Sequence, residues 1–153
     1  MRDSAWLANE LELFLRNYFS DVKLTNPIHI KFGREAQFRF GSIKLVKPRG
    51  ISNFKFQISN LTKKHPSKSL ITITSMFASE DIPADIVRYT IAHELCHYAH
   101  GFSSYNKRLF KFPHHGGIVN KELRARGLGG LISAYKTWLK AYRTKILSGR
   151  KIS

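Results

Sequence analysis

The feature that most constrains this chain is a change of hydrophobic period along it. Ile28, Ile30 and Phe32 alternate with His29 and Lys31, and Phe38 and Phe40 alternate with Gln37 and Arg39. Ile43 and Leu45 continue the pattern, and Phe54, Phe56 and Ile58 repeat it around Lys55 and Gln57. Leu70 to Met76, LITITSM, is a further β-branched run. A period of two with one polar side fits an antiparallel sheet with one buried face.

The flanking segments have helical spacing instead. Leu7, Leu11, Phe14, Leu15 and Tyr18 predict an amphipathic helix over 4–19, with Asp3 or Ser4 as its cap. Ser79 to Pro83 is a helix-start signal, and Gly101 is the stop of a helix running to about His100. Residues 102–115 read as a loop, about 117–126 as a short helix broken by Gly127, Gly129 and Gly130, and 131–147 as a last helix. The expectation is an α+β fold: a small, mostly antiparallel sheet with an N-terminal helix, a central helix and C-terminal helices packed on one face.

The 153 residues fit one domain, 1–153, with a basic helical segment at about 128–153. Hydrophobic residues make up 42%, too many for a disordered chain. Cys96 is the only cysteine, which excludes a disulfide-stapled scaffold. Met1 to Glu12 mixes acids among its apolar residues and does not read as a signal peptide, and no stretch approaches the roughly 20 apolar residues of a membrane helix. The expected setting is intracellular (cytoplasm, nucleoid or nucleus), with no membrane partner and a monomeric state.

The formal net charge is +16 and it is unevenly spread. Residues 31–69 carry +9 and residues 121–153 carry +8, while 1–30 carry −1 and 70–120 are neutral. Two basic segments flanking a neutral stretch point to a polyanionic partner.

The neutral stretch holds the chemistry. Residues 93–97 read His-Glu-Leu-Cys-His inside the central helix. Positions i and i+4 share a helix face about 6 Å apart, so His93 and His97 can aim at one Zn²⁺. Glu94 is rotated about 100° from His93 and can reach a water instead. That division of labour is the one a metal-dependent peptidase uses. Leu95 and Cys96 read as ordinary helix or core residues.

A catalytic zinc needs a third protein ligand. His100, His114, His115 and Glu122 are the downstream candidates. His100 lies about 10 Å along the helix from His93, too far to share one ion, and reads as a helix-end histidine. His100 and Ser103 stand where a metzincin needs Gly and His. One of His114 and His115, adjacent and just before the short helix, can return to the site; Glu122 is the alternative of a glutamate-type zincin. Tyr98, Tyr105 and His114 are candidates to assist an oxyanion.

The stretches IVRYTIAHELCHYAHG and HHGGIVNKELRARG, in that order after a strand and an acidic turn, resemble the SprT-like metalloprotease domain, the group that includes Spartan-type proteases. The resemblance covers about residues 70–127. His115-Gly116-Gly117-Ile118-Val119 matches the family's third-ligand turn, with Val119 where Phe is usual. It implies a zincin-like fold, His93, His97 and His115 as zinc ligands, and Glu94 as general base. Bacterial SprT proteins often add a C-terminal zinc ribbon, which one cysteine cannot build.

Lys136, Lys140 and Arg143 fall in a row opposite the apolar face of the last helix, with Lys121, Arg124 and Arg126 before it. Lys63, Lys64 and Lys68 extend the track. Such rows neutralise phosphates without reading bases; Trp138 could stack on unpaired bases, but its spacing beside the apolar face reads as core packing. Together with the resemblance, they imply a zinc endopeptidase that cleaves proteins bound or crosslinked to DNA. A zinc peptidase independent of nucleic acid (minimal, gluzincin-like) is the alternative, and a non-catalytic nucleic-acid-binding module with a structural zinc is a third. The strand at 70–76 is expected to form the edge of the cleft.

Overall fold

The structure is a computed structural model and describes residues 1–47 and 67–152. Among these residues the fold is α+β, with four α-helices and a three-stranded sheet. No described helix is long and apolar enough to cross a membrane.

Helix α1 spans Ser4–Asn17 and is capped by Asp3, whose carboxylate accepts the Trp6 N–H at 2.9 Å. Leu7, Leu11 and Phe14 form its buried face, as the spacing predicts. Glu10 is buried beside them because Arg88 of the central helix holds its carboxylate with two bonds of 3.0 and 3.2 Å.

The strands are β1 (Ile28–Phe32), β2 (Gly41–Val46) and β3 (Lys68–Ile73), in the spatial order β1-β3-β2. The β2–β3 pair is antiparallel, with Ile43 opposite Ile71. The β1–β3 pair is parallel, with Ile30 opposite Ile71. Among the described residues the sheet is therefore mixed, with one antiparallel and one parallel pair. Alternation reports which face is buried, and reads the same in either strand direction.

Two further expectations shift. Phe38 and Phe40 do not lie on a strand. Ala36 bonds through both its N–H and its C=O to the Thr74 hydroxyl, at 2.8 and 3.0 Å, and this takes the chain out of the ladder. Phe40 is buried while Phe38 is 59% exposed. The strand expected around Phe54, Phe56 and Ile58 lies outside the described residues.

A 3-10 turn at Ser75–Ala78 buries Phe77 and leads to α2, Ala84–Ala99, which starts behind Pro83. This helix is the core of the molecule. Ile86, Val87, Ile91, Ala92, Leu95, Cys96 and Tyr98 are all but inaccessible, and it packs against the sheet and every other helix. Each such large apolar side chain contributes about 1.5–3 kcal/mol by burial. The helix ends at His100, followed by Gly101 at φ +85°. A Cβ at Gly101 would stand 2.5–2.6 Å from the backbone of Lys107 and Arg108, so only glycine lets the following loop fold back here.

Helices α3 (Ile118–Ala125) and α4 (Gly129–Ile152) close the fold. Val119, Leu123 and Ile132 are buried against α2. Trp138 stacks on Tyr142 at 4.8 Å and meets Phe40 and Phe77 edge-on at 5.6 and 5.9 Å. Trp138 is thus packed against the core, as its spacing predicts.

Candidate metal centre

The i, i+4 spacing on α2 brings the His93 and His97 rings to 4.7 Å between centroids, almost perpendicular to each other. The loop after α2 then returns His114 to them. Its Nε2 lies 3.1 Å from Nε2 of His93 and 3.1 Å from Nε2 of His97. A ligand atom from each of the three residues lies within 4.8 Å of the others, close enough to hold a metal ion.

The donor chemistry fits a cation. One ring nitrogen carries either a hydrogen or a single in-plane lone pair. His114 Nε2 therefore serves one of its two short contacts as a hydrogen bond, not both. An ion with metal–nitrogen distances of 2.0–2.1 Å sets tetrahedral nitrogens about 3.4 Å apart and uses all three lone pairs.

Electrostatics keeps the helix pair ready to ligate. Burial, reinforced by repulsion from His97 and His114, pushes His93 down to about 3. Burial, with repulsion from His114 and His100, pushes His97 down to about 4. Both imidazoles therefore stay uncharged at neutral pH, as metal ligation requires.

Glu94 is 5% exposed, and burial raises its carboxyl to about 7, with Arg39 opposing the rise. Its Oε2 is buried without a hydrogen-bond partner among the described residues. Glu94 and His93 line a cleft of about 300 Å³, walled by Arg39, Gly41, Tyr89 and Tyr135. Gly41 opens β2 here, and a Cβ on it would stand 2.7 Å from Thr90 Cγ2 and 3.5 Å from Glu94 Oε1. The close approach of β2 to α2 thus depends on a glycine.

His115, the third ligand that the resemblance implies, is not in the cluster; His114 is. His115 starts a 3-10 turn with Gly116 and Gly117, both at positive φ, and is exposed. Adjacent side chains point apart, so only one of the two can face α2. Glu122 does not join either. Its carboxylate pairs with Arg126 at 3.1 Å and sits 3.7 Å from buried His100. Cys96 is buried, with its thiol pushed up to about 12 by burial.

The tyrosines singled out from sequence are committed elsewhere. The Tyr98 hydroxyl donates to the Asn26 carbonyl at 2.9 Å inside the core. The Tyr105 hydroxyl accepts the Ser67 N–H at 2.8 Å. The tyrosines at the cleft are Tyr89 and Tyr135, stacked at 4.1 Å, with Tyr89 6.0 Å from the His93 ring. Tyr89 lies four residues before His93, on the same helix face, and that spacing was the available signal. Tyr135 had none, because its spacing reads as core.

The strand expected at the cleft edge, β3, is central and paired on both sides; the strand bordering the cleft is β2. The basic residues divide. Lys121 and Arg124 are exposed on α3, and Lys136, Lys140 and Arg143 are exposed along α4. Lys68 is half-buried on β3, and Lys63 and Lys64 lie outside the described residues. Arg126 is consumed inside the fold. It donates to the Tyr18 carbonyl at 2.7 Å, pairs with Asp21 and Glu122, and covers the Phe19 ring at 4.3 Å. It ties α3 to the chain after α1 and is not placed to meet phosphate. Comparison with protein-family models, curated proteins and solved structures finds no match to this chain.

Proposed function

We propose that this protein is a zinc-dependent endopeptidase of the SprT-like kind, acting on proteins bound or crosslinked to DNA. The observation that carries the reading is the convergence of His93, His97 and His114 beside the buried carboxyl of Glu94. Three imidazoles, with no fourth protein donor beside them among the described residues, are a donor set of catalytic rather than structural zinc.

When bound, zinc supplies a Lewis acid that acidifies water and polarises a carbonyl. Glu94 takes a proton from water as the water oxygen bonds to the carbonyl carbon. It returns that proton to the amide nitrogen as the C–N bond breaks. Burial, which disfavours the charged form, makes the Glu94 carboxylate a stronger base than a solvated one. The Tyr89–Tyr135 stack forms the apolar wall beside it.

The DNA part of the proposal is supported by the exposed cations of α3 and α4, which suit sequence-independent phosphate contact. A peptidase indifferent to nucleic acid is the second reading. It is favoured by the internal commitment of Arg126, a cation the sequence offered to DNA. The test is cleavage of a DNA-binding protein with and without DNA, chelator and added salt. The first reading predicts loss of cleavage with chelator, at least about a 100-fold loss in Glu94→Gln, and stimulation by DNA that fades with salt. Cleavage unmoved by DNA selects the second reading. Glu94→Gln equal to the parent removes both.

A further inference from the structure

We infer that Arg39 makes the cleft selective for an acidic side chain, so that the peptides cut best carry Asp or Glu close to the cleaved bond. This names the substrate class of the centre described above and rests on the peptidase reading.

The inference starts from the charges that line the cleft. Among the described residues, Arg39, His93 and Glu94 are its only titratable groups apart from the two tyrosines. His93 belongs to the metal cluster, and Glu94 is the buried acid one position later. Arg39 is the one group there, among the described residues, with a permanent charge, and it is exposed. It has no hydrogen bond or ion pair among the described residues, whereas Arg88 and Arg126 each pair with two carboxylates.

The backbone carrying Arg39 is fixed in place. The Phe40 carbonyl accepts the Thr74 N–H at 2.8 Å, and the Gln37 carbonyl accepts the Tyr142 hydroxyl at 2.8 Å. The Phe40 ring is packed among Phe77, Tyr135, Trp138 and Tyr142. With Gln37 and Phe40 anchored on either side of it, the backbone at Arg39 holds the guanidinium at the mouth of the cleft.

A guanidinium binds a carboxylate through two parallel hydrogen bonds. A peptide crossing from β2 toward the metal cluster passes this group. An acidic residue there is held, a neutral one is tolerated and a basic one is repelled.

The test is a digest of a mixed peptide library by zinc-loaded parent, Arg39→Gln and Arg39→Glu at one pH, with cut sites read by mass spectrometry. The parent is expected to enrich Asp and Glu about tenfold at one position within two residues of the cut. Arg39→Gln is expected to bring that enrichment near unity, and Arg39→Glu to favour Lys and Arg there. Comparing positions within one enzyme cancels any effect of residue 39 on Glu94. Zinc content near one per chain in each variant shows that the centre has survived the substitution. Cutting by the parent with no acidic preference, or a preference unchanged in Arg39→Gln, overturns the inference and leaves the peptidase reading standing. No cutting by zinc-loaded parent overturns both.

Discussion

The metal cluster is assembled from two unlike regions. His93 and His97 stand on α2, a helix so buried that Ile91, Ala92, Leu95 and Cys96 around them have almost no exposure. His114 comes from the loop of residues 101–117, where Leu109 and Phe112 are 59% and 55% exposed and His114 is itself exposed. On the helix, ligand geometry follows from spacing and is locked by packing. In the loop it follows from local anchors: Gly101 at positive φ, the Leu109 N–H bonded to the His100 carbonyl at 2.9 Å, and Phe110 against the His100 ring at 4.9 Å. One region is positioned by the core and the other by its own turns.

Removing core from the helix gives the largest expected effect. Ile91→Ala should cost about 2–5 kcal/mol of unfolding free energy in denaturant titration, because the cavity opens inside packed structure. A cost under 1 kcal/mol would mean that α2 is not the rigid half.

The buried acid gives the next effect. Glu94 has its carboxyl raised to about 7 in the fold, against an ordinary value of 4.5. Its contribution to stability is therefore complete below the ordinary value and is lost as pH rises through about 7. Urea unfolding of metal-free parent and Glu94→Gln at pH 5 and pH 8 should show the variant gaining about 2.5 kcal/mol on the parent between the two. His93 and His97 work in the opposite sense. Their lowered values stabilise fully above 6.5, with loss as pH falls toward about 4 and below. They are common to both proteins and cancel. A gap independent of pH would mean that Glu94 is solvated and not the buried base described.

The smallest effect belongs to the loop. Leu109→Ala and Phe112→Ala should each change stability by no more than about 0.5 kcal/mol, because neither side chain is part of the core. A loss of several kcal/mol in either would make the loop as much a part of the core as the helix.

The same contrast explains what the sequence could disclose. Helix α1, helix α2, its Gly101 stop and the His93–Glu94–His97 triplet all follow from spacing within one element. The parallel pairing of β1 with β3 does not, because strand direction leaves no mark on side-chain alternation. Nor does the choice between His114 and His115. Both precede the same pair of glycines, and the turn that decides which one faces α2 depends on loop contacts distant in sequence. Arg126 looked like a surface cation because its partners Asp21 and Tyr18 lie more than 100 residues earlier. Tyr135 looked like core and is core, with one edge lining the cleft.

The most direct test of the central claim is zinc titration of the parent, His114→Ala and His115→Ala by calorimetry. The parent and His115→Ala should bind one zinc per chain with affinities within about twofold of each other. His114→Ala should bind at least about 100-fold more weakly, more than the loss of an outer-shell partner costs. Full affinity in His114→Ala with loss in His115→Ala would contradict the centre described here.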